Sequence, residues 1–480
     1  MTTRWDGSTR ARGLCERLEA SLTAILAATA LGVYALVIVG ATYATVAGAA
    51  TCTTWPTCDG SWLVPLSDTG LVIAMSHRLL SLLVGAALLF ATVTVWVTSP
   101  PTHVRTLVTL MMGVYPFQIG LGALTAVSGG ASPYPTLHLV LAMGIFAGVL
   151  LALVWWLEHR TNDVVSTFDE RGLSRTDPPS DTAAWDGGTG YVDLARAYLE
   201  LTKPRLMWLL CFVALAGIGL ATATTGLPVT SEAVVGTLLG GVLAIGASGT
   251  FNHIIERDVD RKMQRTADRP TATDSVSVRN AATFGVLLGV ASMAVFLALV
   301  NVLAAALGLI AIAFYSIVYT VVLKPHTTQN IVIGGAVGAI PALIGWAAIT
   351  GSVGIPAILL GVLIFLWTPA HFYNLALAYK QDYERGGFPM LPIARGEAVT
   401  LRHITWYFGA TLIAAVGLAM VAPLGTLYAA TVVAFAALFL VAIVTLYRER
   451  TPSTALRSFH ASNAFLGVVM VVIIVETLLI

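Results

Sequence analysis

Thirteen long apolar runs constrain this chain more than any other feature. They fall at about 21–49, 71–98, 104–127, 134–157, 205–222, 233–251, 282–300, 302–322, 330–350, 355–378, 404–422, 425–446 and 459–480. A run of about 18 to 20 apolar residues matches a bilayer core roughly 30 Å thick. A soluble protein with a large core would not repeat such runs a dozen times. The expected fold is an all-α polytopic membrane protein of about thirteen transmembrane helices. The 57% hydrophobic content and mean hydropathy of +0.83 agree with it. Arg4, Arg10, Arg12 and Arg17 precede a helix too long for the apolar region of a signal peptide, so no cleaved leader is expected.

The formal net charge of +1 hides an asymmetry. With the N-terminus in the cytoplasm and one crossing per helix, every Lys and Arg except Arg78 falls in an inner loop or at an inner helix end. A multi-pass protein of the cell membrane is implied, with its charged loops cytoplasmic. Nothing in this pattern suggests nucleic-acid binding. Residues 158–195 are polar and rich in Pro, Gly, Ser and Thr, as a linker is. They separate a four-helix membrane domain, 1–157, from a nine-helix one, 196–480. Of four cysteines, Cys52 and Cys58 share the first outer loop, where an oxidising environment favours a disulfide over two thiols.

One stretch concentrates charge against this background. In "NHIIERDVDRKMQRTADRP", Asn252 to Pro270, nine of nineteen residues are charged, against 11% overall. Asn252, Glu256 and Asp260 are spaced i, i+4, i+8. If the helix at 233–251 continues through them, they line one face over roughly 12 Å. An amide and two carboxylates offer the hard oxygen donors that Mg²⁺ prefers, and Arg265 and Arg269 follow as donors to phosphate. A metal–diphosphate site is one reading; a solvated inner loop with incidental ion pairs is the other. Asp258 points away from that face and reads as a structural ion pair.

Further inner segments tilt the balance. "HFYNLALAYKQDYERGGFPMLPIARGE" places Asn374 and Asp382 eight apart and adds Lys380 and Arg385. "YTVVLKPHTTQN" contributes Tyr319, Lys324, Thr327 and Asn330, and "LTKPRL" contributes Lys203 and Arg205. All are expected at the same membrane face. His371 and His253 lie at inner helix ends, where a histidine is either a structural hydrogen-bonding residue or a substrate contact.

In the first domain, His77 ("MSHRLL") and His138 ("PTLHLV") sit at similar depth, about 6 to 9 Å inside the outer helix ends. Two imidazoles so placed can ligate a haem iron axially, with Arg78 meeting a propionate. They can equally be unrelated buried histidines.

The second domain resembles the protohaem IX farnesyltransferases (haem O synthases) of the UbiA superfamily. Three motifs carry the resemblance, in order: "NHIIERDVDRKMQRTADRP", "YTVVLKPHTTQNIVIGGAVGAIPALIGW" and "WTPAHFYNLALAYKQDYERGGFPMLP". It covers about 199–480. It implies transfer of a farnesyl group from farnesyl diphosphate to a vinyl group of protohaem IX, giving haem O. The implied Mg²⁺ ligands are Asn252, Glu256, Asp260 and Asp382, with Lys324 beside them in the catalytic set. Arg265, Arg269, Lys380, Lys203 and Arg205 are the implied diphosphate donors. Two departures are visible: Glu256 stands where the family usually has Asp, and Gln381 where a second acid is frequent.

The first domain resembles one four-helix half of haem A synthase, through "TCTTWPTCDG", the "HR" of helix two and the "HL" of helix four. This implies haem binding by His77 and His138, with Arg78; in the second domain the "PAHF" context, part of the farnesyltransferase resemblance, implies His371 as a haem contact. Ala74 replaces the glutamate that the catalytic half of that family carries, which puts haem oxidation in doubt. Implied partners are the two substrates, the lipid bilayer, and haem A synthase or oxidase-assembly proteins. Two other readings are another UbiA-type prenyltransferase and a non-enzymatic haem carrier or oxidase-assembly factor.

Overall fold

A computed structural model of the chain describes residues 7–46, 52–58, 60–162, 164–168 and 190–478. Four helices come first: α1 (Gly7–Val46), α2 (Thr69–Thr98), α3 (Thr102–Val127) and α4 (Tyr134–Arg160). A short helix α5 (Tyr191–Leu201) precedes α6 (Pro204–Thr225), α7 (Ser231–Ile255), α8 (Val278–Leu299) and α9 (Val302–Ala313). α9 runs on into a wide-turned π-helical segment, Phe314–Leu323. Then come α10 (Asn330–Thr350), α11 (Ile355–Ala378), α12 (Glu397–Val421), α13 (Thr426–Glu449) and α14 (Pro452–Leu478). Thirteen helical spans among the described residues are long and apolar enough to cross a membrane, one for each run read from the sequence. The architecture is all-α.

The chain forms two compact units, residues 1–164 with 424–447, and 165–423 with 448–480. Most of the expected linker, 169–189, lies outside the described residues. Helix starts follow local chemistry. Asp68 caps α2 by accepting from the Leu71 amide at 3.0 Å, and Asn301 caps α9 through the Ala304 amide at 2.9 Å. Such caps satisfy amide donors that the first turn leaves orphaned.

In the first unit α1 packs on α2 and α4, and α3 on α4. Leu22, Leu26 and Val33 are buried there, and the Trp156 indole donates to Thr23 Oγ1 at 3.1 Å. In the second unit α7 packs on α8, α6 on α10, α10 on α11, and α11 on both α12 and α14. Lipid offers no hydrophobic drive for helix association, so close backbone approach matters more. Gly217 and Gly345 provide it: a Cβ on either would collide with the opposite backbone, at Ala342 and Ala214.

α5 does not figure among the sequence expectations, which fold its first residues into the linker. It buries Ala197 and Leu201 beside Val276 and Ala281, and it delivers the chain to Lys203.

Candidate active site

The charged stretch stays in helical register past the end of α7. The Glu256 amide donates to Asn252 O at 2.9 Å and the Asp260 amide to Glu256 O at 2.8 Å. Asn252, Glu256 and Asp260 therefore share one face although α7 ends at Ile255. All three are buried, at 2%, 6% and 2% exposure, in a segment where Asp258 lies open to solvent. Buried charge is costly unless paired, and each member has a partner.

Lys324 Nζ donates to Glu256 Oε1 at 2.5 Å. Arg269 Nη1 donates to both oxygens of Asp260, at 2.9 and 2.8 Å, and lies 3.9 Å from Glu256 Oε2. Lys203 Nζ donates to Asn252 Oδ1, and Tyr315 Oη stands 3.3 Å from the same ammonium. Burial together with the nearby Arg269 pulls the Lys203 ammonium down to about 7, against the pull of Glu256. Burial alone would raise the Glu256 carboxyl, but Lys324, Lys203 and Arg269 outweigh it and hold the group below its usual range.

Lys203 reaches this place through an unusual backbone. It adopts the left-handed conformation (φ 55°) just before Pro204 opens α6. Gly249 on α7 makes room for it: a Cβ there would stand 2.9 Å from Leu201 O and 3.3 Å from Lys203 Cγ.

Asp382 holds the second charged loop onto the first. Its oxygens accept the Gln264 and Arg265 amides, each at 3.1 Å, and Arg385 lies 3.0 Å away. Among the described residues no three Asp, Glu, His or Cys side chains gather closely enough to cage a metal by themselves. The four expected ligands are thus no preformed cage. Their oxygens suit Mg²⁺ chemically, and substrate oxygens would have to complete its shell.

The expected diphosphate donors divide in two. Arg265 is exposed, with its guanidinium over the rings of Tyr379 and Tyr383 at 5.0 and 5.6 Å, and Arg205 is exposed on the first turn of α6. Lys203 and Arg269 are instead inside the site as counter-ions. Lys380 pairs with Glu397 at 2.9 Å, a partner that the loop-by-loop reading did not supply. Asp258 takes the ion-pair place expected of it, 3.7 Å from Arg261.

His371 is not brought to this face. Its ring stacks on Trp367 and Phe459, with centroids 4.3 and 4.2 Å away, and Nδ1 lies 2.6 Å from Ser462 Oγ. That is the packing of a structural histidine, the first of the two roles open to it. His253 is buried beside Asn252, and its backbone carbonyl accepts from Thr271 at 2.9 Å.

In the first unit the Cys52–Cys58 disulfide is formed and packs on Ala74 and Met75 of α2. Arg78 braces that loop, donating to Pro56 O at 3.0 Å and Thr54 O at 2.9 Å. The propionate role expected of Arg78 would require some of these donors to leave the loop carbonyls, and it stays a proposal. His77 lies against Gly40 of α1 and His138 against Gly122 of α3, each glycine leaving space only for the ring. His138 Nδ1 is 3.1 Å from Gln118 O, and Gln118 Nε2 donates to His138 O at 2.9 Å. His77 Nδ1 and Gln118 Oε1 are buried without a hydrogen-bond partner. Gln118, a single amide in an apolar helix, gave no sequence signal.

A helical membrane unit with buried carboxylates, each neutralised by a cation at one helix end, defines a class, and comparison with known proteins gives that class its name. The chain belongs to the UbiA prenyltransferase family, whose pattern it matches over residues 210–469. Within that family it belongs with the protoheme IX farnesyltransferases. It is 53% identical to the one from Halobacterium salinarum strain R1, over 95% of this chain and 98% of that protein. It is 51% identical to that of Haloarcula marismortui, again over 95% of this chain and 98% of that protein. A Mycobacterium (strain KMS) protein of the same name is 41% identical over 59% of this chain and 91% of its own length. The chain is an enzyme of the prenyltransferase class.

Among solved structures, a digeranylgeranylglyceryl phosphate synthase is 18% identical, covering 60% of this chain and 100% of that one at a TM-score of 0.49. A UbiA homologue from Archaeoglobus fulgidus, bound to DMAPP and Mg²⁺, is 20% identical, covering 57% and 98% at a TM-score of 0.43.

Proposed function

We propose that the second unit transfers the farnesyl group of farnesyl diphosphate to a vinyl group of protohaem IX, making haem O. The observation that carries this reading is the buried Asn252–Glu256–Asp260 face with its cations, in a chain whose relatives are named for that reaction. The allylic C–O bond breaks and its electron pair leaves on the diphosphate. A C–C bond forms at the vinyl terminus. The cation left beside the ring takes the oxygen of water, and a proton is lost to give the hydroxyethylfarnesyl group.

Asn252, Glu256, Asp260 and Asp382 would hold Mg²⁺, which supplies positive charge to the departing diphosphate. Lys203, Lys324 and Arg269 are the chain's own part of that stabilisation. They neutralise the oxygen donors in the free protein and are positioned to move onto phosphate oxygens. Arg265 and Arg205 offer further donors from the exposed rim, and Lys380 can join them by leaving Glu397. The apolar helices keep water from the cation. The relative from Mycobacterium carries the same name with only part of this length, which supports a reaction confined to the UbiA portion.

The reading is tested by product mass. Incubating the full chain with protohaem IX and farnesyl diphosphate should yield haem carrying one farnesyl and one hydroxyl. Transfer to an aromatic acid or a glycerol phosphate instead would refute it.

For the first unit the proposal is haem binding by His77 and His138. Metal-bound histidines characteristically donate their second ring nitrogen to a carbonyl or carboxylate. A His138 Nδ1–H directed at Gln118 O leaves Nε2 as the ligand atom, and the unpartnered His77 Nδ1 offers a second one. Loss of a six-coordinate low-spin spectrum in both His77→Ala and His138→Ala would support it; well-folded protein purified without haem would not. By the Lys and Arg asymmetry we place the reactive loops on the cytoplasmic side of the cell membrane. Haem O leaving there would pass to haem A synthase or to proteins assembling respiratory oxidases.

A further inference from the structure

Asn252 can offer an oxygen to the site only if its amide is turned the right way, and an amide has two nearly isosteric ends. Thr320, in the π-helical segment, touches one of them. Asn252 Nδ2 lies 3.1 Å from Thr320 Oγ1, while the Thr320 hydroxyl itself lies 2.8 Å from Tyr315 O. A hydroxyl has a single hydrogen. Given to the Tyr315 carbonyl, it leaves Oγ1 only lone pairs to present to Asn252. The nitrogen end of the amide must then face Thr320, and Oδ1 must face the opposite way. On that opposite side stands Lys203, whose ammonium has donors only. Asn252 and Thr320 are each 2% exposed, which leaves little water to compensate a wrong turn.

The π winding makes this possible. Many helical threonines elsewhere in the chain bond the carbonyl four residues back, as Thr250 does to Gly246 and Thr368 to Ile364. Thr320 reaches five back, to Tyr315, and the Lys324 amide likewise donates to Tyr319 O. In an α-helix residues five apart diverge by about 140°. Wound with i→i+5 bonds, Thr320 stands over Tyr315 and Lys324 over Tyr319. One segment thereby sends Thr320 to Asn252 and Lys324 to Glu256.

We propose that Thr320 is a positioning residue for the metal–diphosphate site: through its bond to Tyr315 it fixes the Asn252 amide with Oδ1 toward the site. This rests on reading the Asn252–Glu256–Asp260 face as the metal site. The test measures Mn²⁺ binding to the purified full chain by equilibrium dialysis in the presence of inorganic diphosphate. Thr320→Val should weaken Mn²⁺ binding about fivefold or more, the scale of one lost hydrogen bond. Thr320→Ser, which keeps the hydroxyl, should stay within about twofold of wild type.

A second background isolates the cause. In Asn252→Asp both ends of the side chain are oxygens, so adding Thr320→Val there should change Mn²⁺ affinity by less than about twofold. If Thr320→Val does not fold, Thr320→Ala serves for the same pair of comparisons. Equal losses from Thr320→Val with and without Asn252→Asp would overturn the proposal. So would wild-type affinity in Thr320→Val when Asn252→Ala has lost binding. Unchanged Mn²⁺ binding in both Asn252→Ala and Glu256→Gln would remove the metal site itself, and this inference with it.

Discussion

Arg269 holds both oxygens of Asp260, at 2.9 and 2.8 Å, across nine residues of the same loop. Asp260 is 2% exposed, and burial raises its carboxyl above the usual range while the Arg269 guanidinium pulls it back down. Removing one partner of a buried pair costs about 3–5 kcal/mol, because the other charge is stranded. Arg269→Met should therefore destabilise the protein by about 3 kcal/mol or more. Asp260→Asn strands Arg269 instead, but that side chain is 19% exposed and lies 3.9 Å from Glu256, so this change should cost less. Equilibrium unfolding of the two variants in detergent checks the order.

Lys324 stands in the same relation to Glu256, at 2.5 Å, and its ammonium also lies 4.4 Å from the Phe388 ring centroid. In the proposed reaction Lys324 would face the departing diphosphate, where such a cation contributes on the order of 10²-fold to rate. Lys324→Met is expected to lose haem O formation by about that factor while its helical circular dichroism is unchanged.

Arg78 braces the disulfide loop of the first unit with two short bonds to carbonyls. Arg78→Ala should loosen that loop locally. Hydrogen exchange of residues 52–58 is expected to rise about tenfold, in line with losing about 1.4 kcal/mol of local stability. The rate of haem O formation should not change.

His371 bonds Ser462 at 2.6 Å and stacks between two aromatic rings. His371→Phe keeps the ring and loses the bond, which should cost about 1 kcal/mol. The KM for protohaem IX should stay at its wild-type value, where a haem contact would raise it.

The thirteen spans were legible because lipid imposes one rule on every crossing, a length of apolar residues. The i, i+4, i+8 spacing of Asn252, Glu256 and Asp260 was legible because helical register survives the end of α7. Hydropathy could not find α5, whose alternation of Tyr191, Val192 and Leu194 with Asp193 and Arg196 resembles linker composition. It also could not find the π segment, since "FYSIVYTVVL" reads as ordinary apolar helix. Thr320 and Tyr315 were therefore missed; only their five-residue separation hints at them, and only once the winding is known. The pairings of Lys380 with Glu397 and of Asp382 with the Gln264 and Arg265 amides depend on how distant loops meet. The bracing by Arg78 was not legible, because an arginine in an apolar run signals function by default, while its loop partners lie twenty or more residues back.

In the proposed reaction the buried face of Asn252, Glu256 and Asp260 performs a metal-dependent haem farnesylation. The most direct measurement is haem O formation by the purified full chain with protohaem IX and farnesyl diphosphate, with and without Mg²⁺, in wild type and Asp260→Asn. Formation that requires the divalent ion and falls at least about 10²-fold in the folded variant is the predicted result. Wild-type rates in Asp260→Asn, or undiminished formation after chelation of divalent ions, would contradict it.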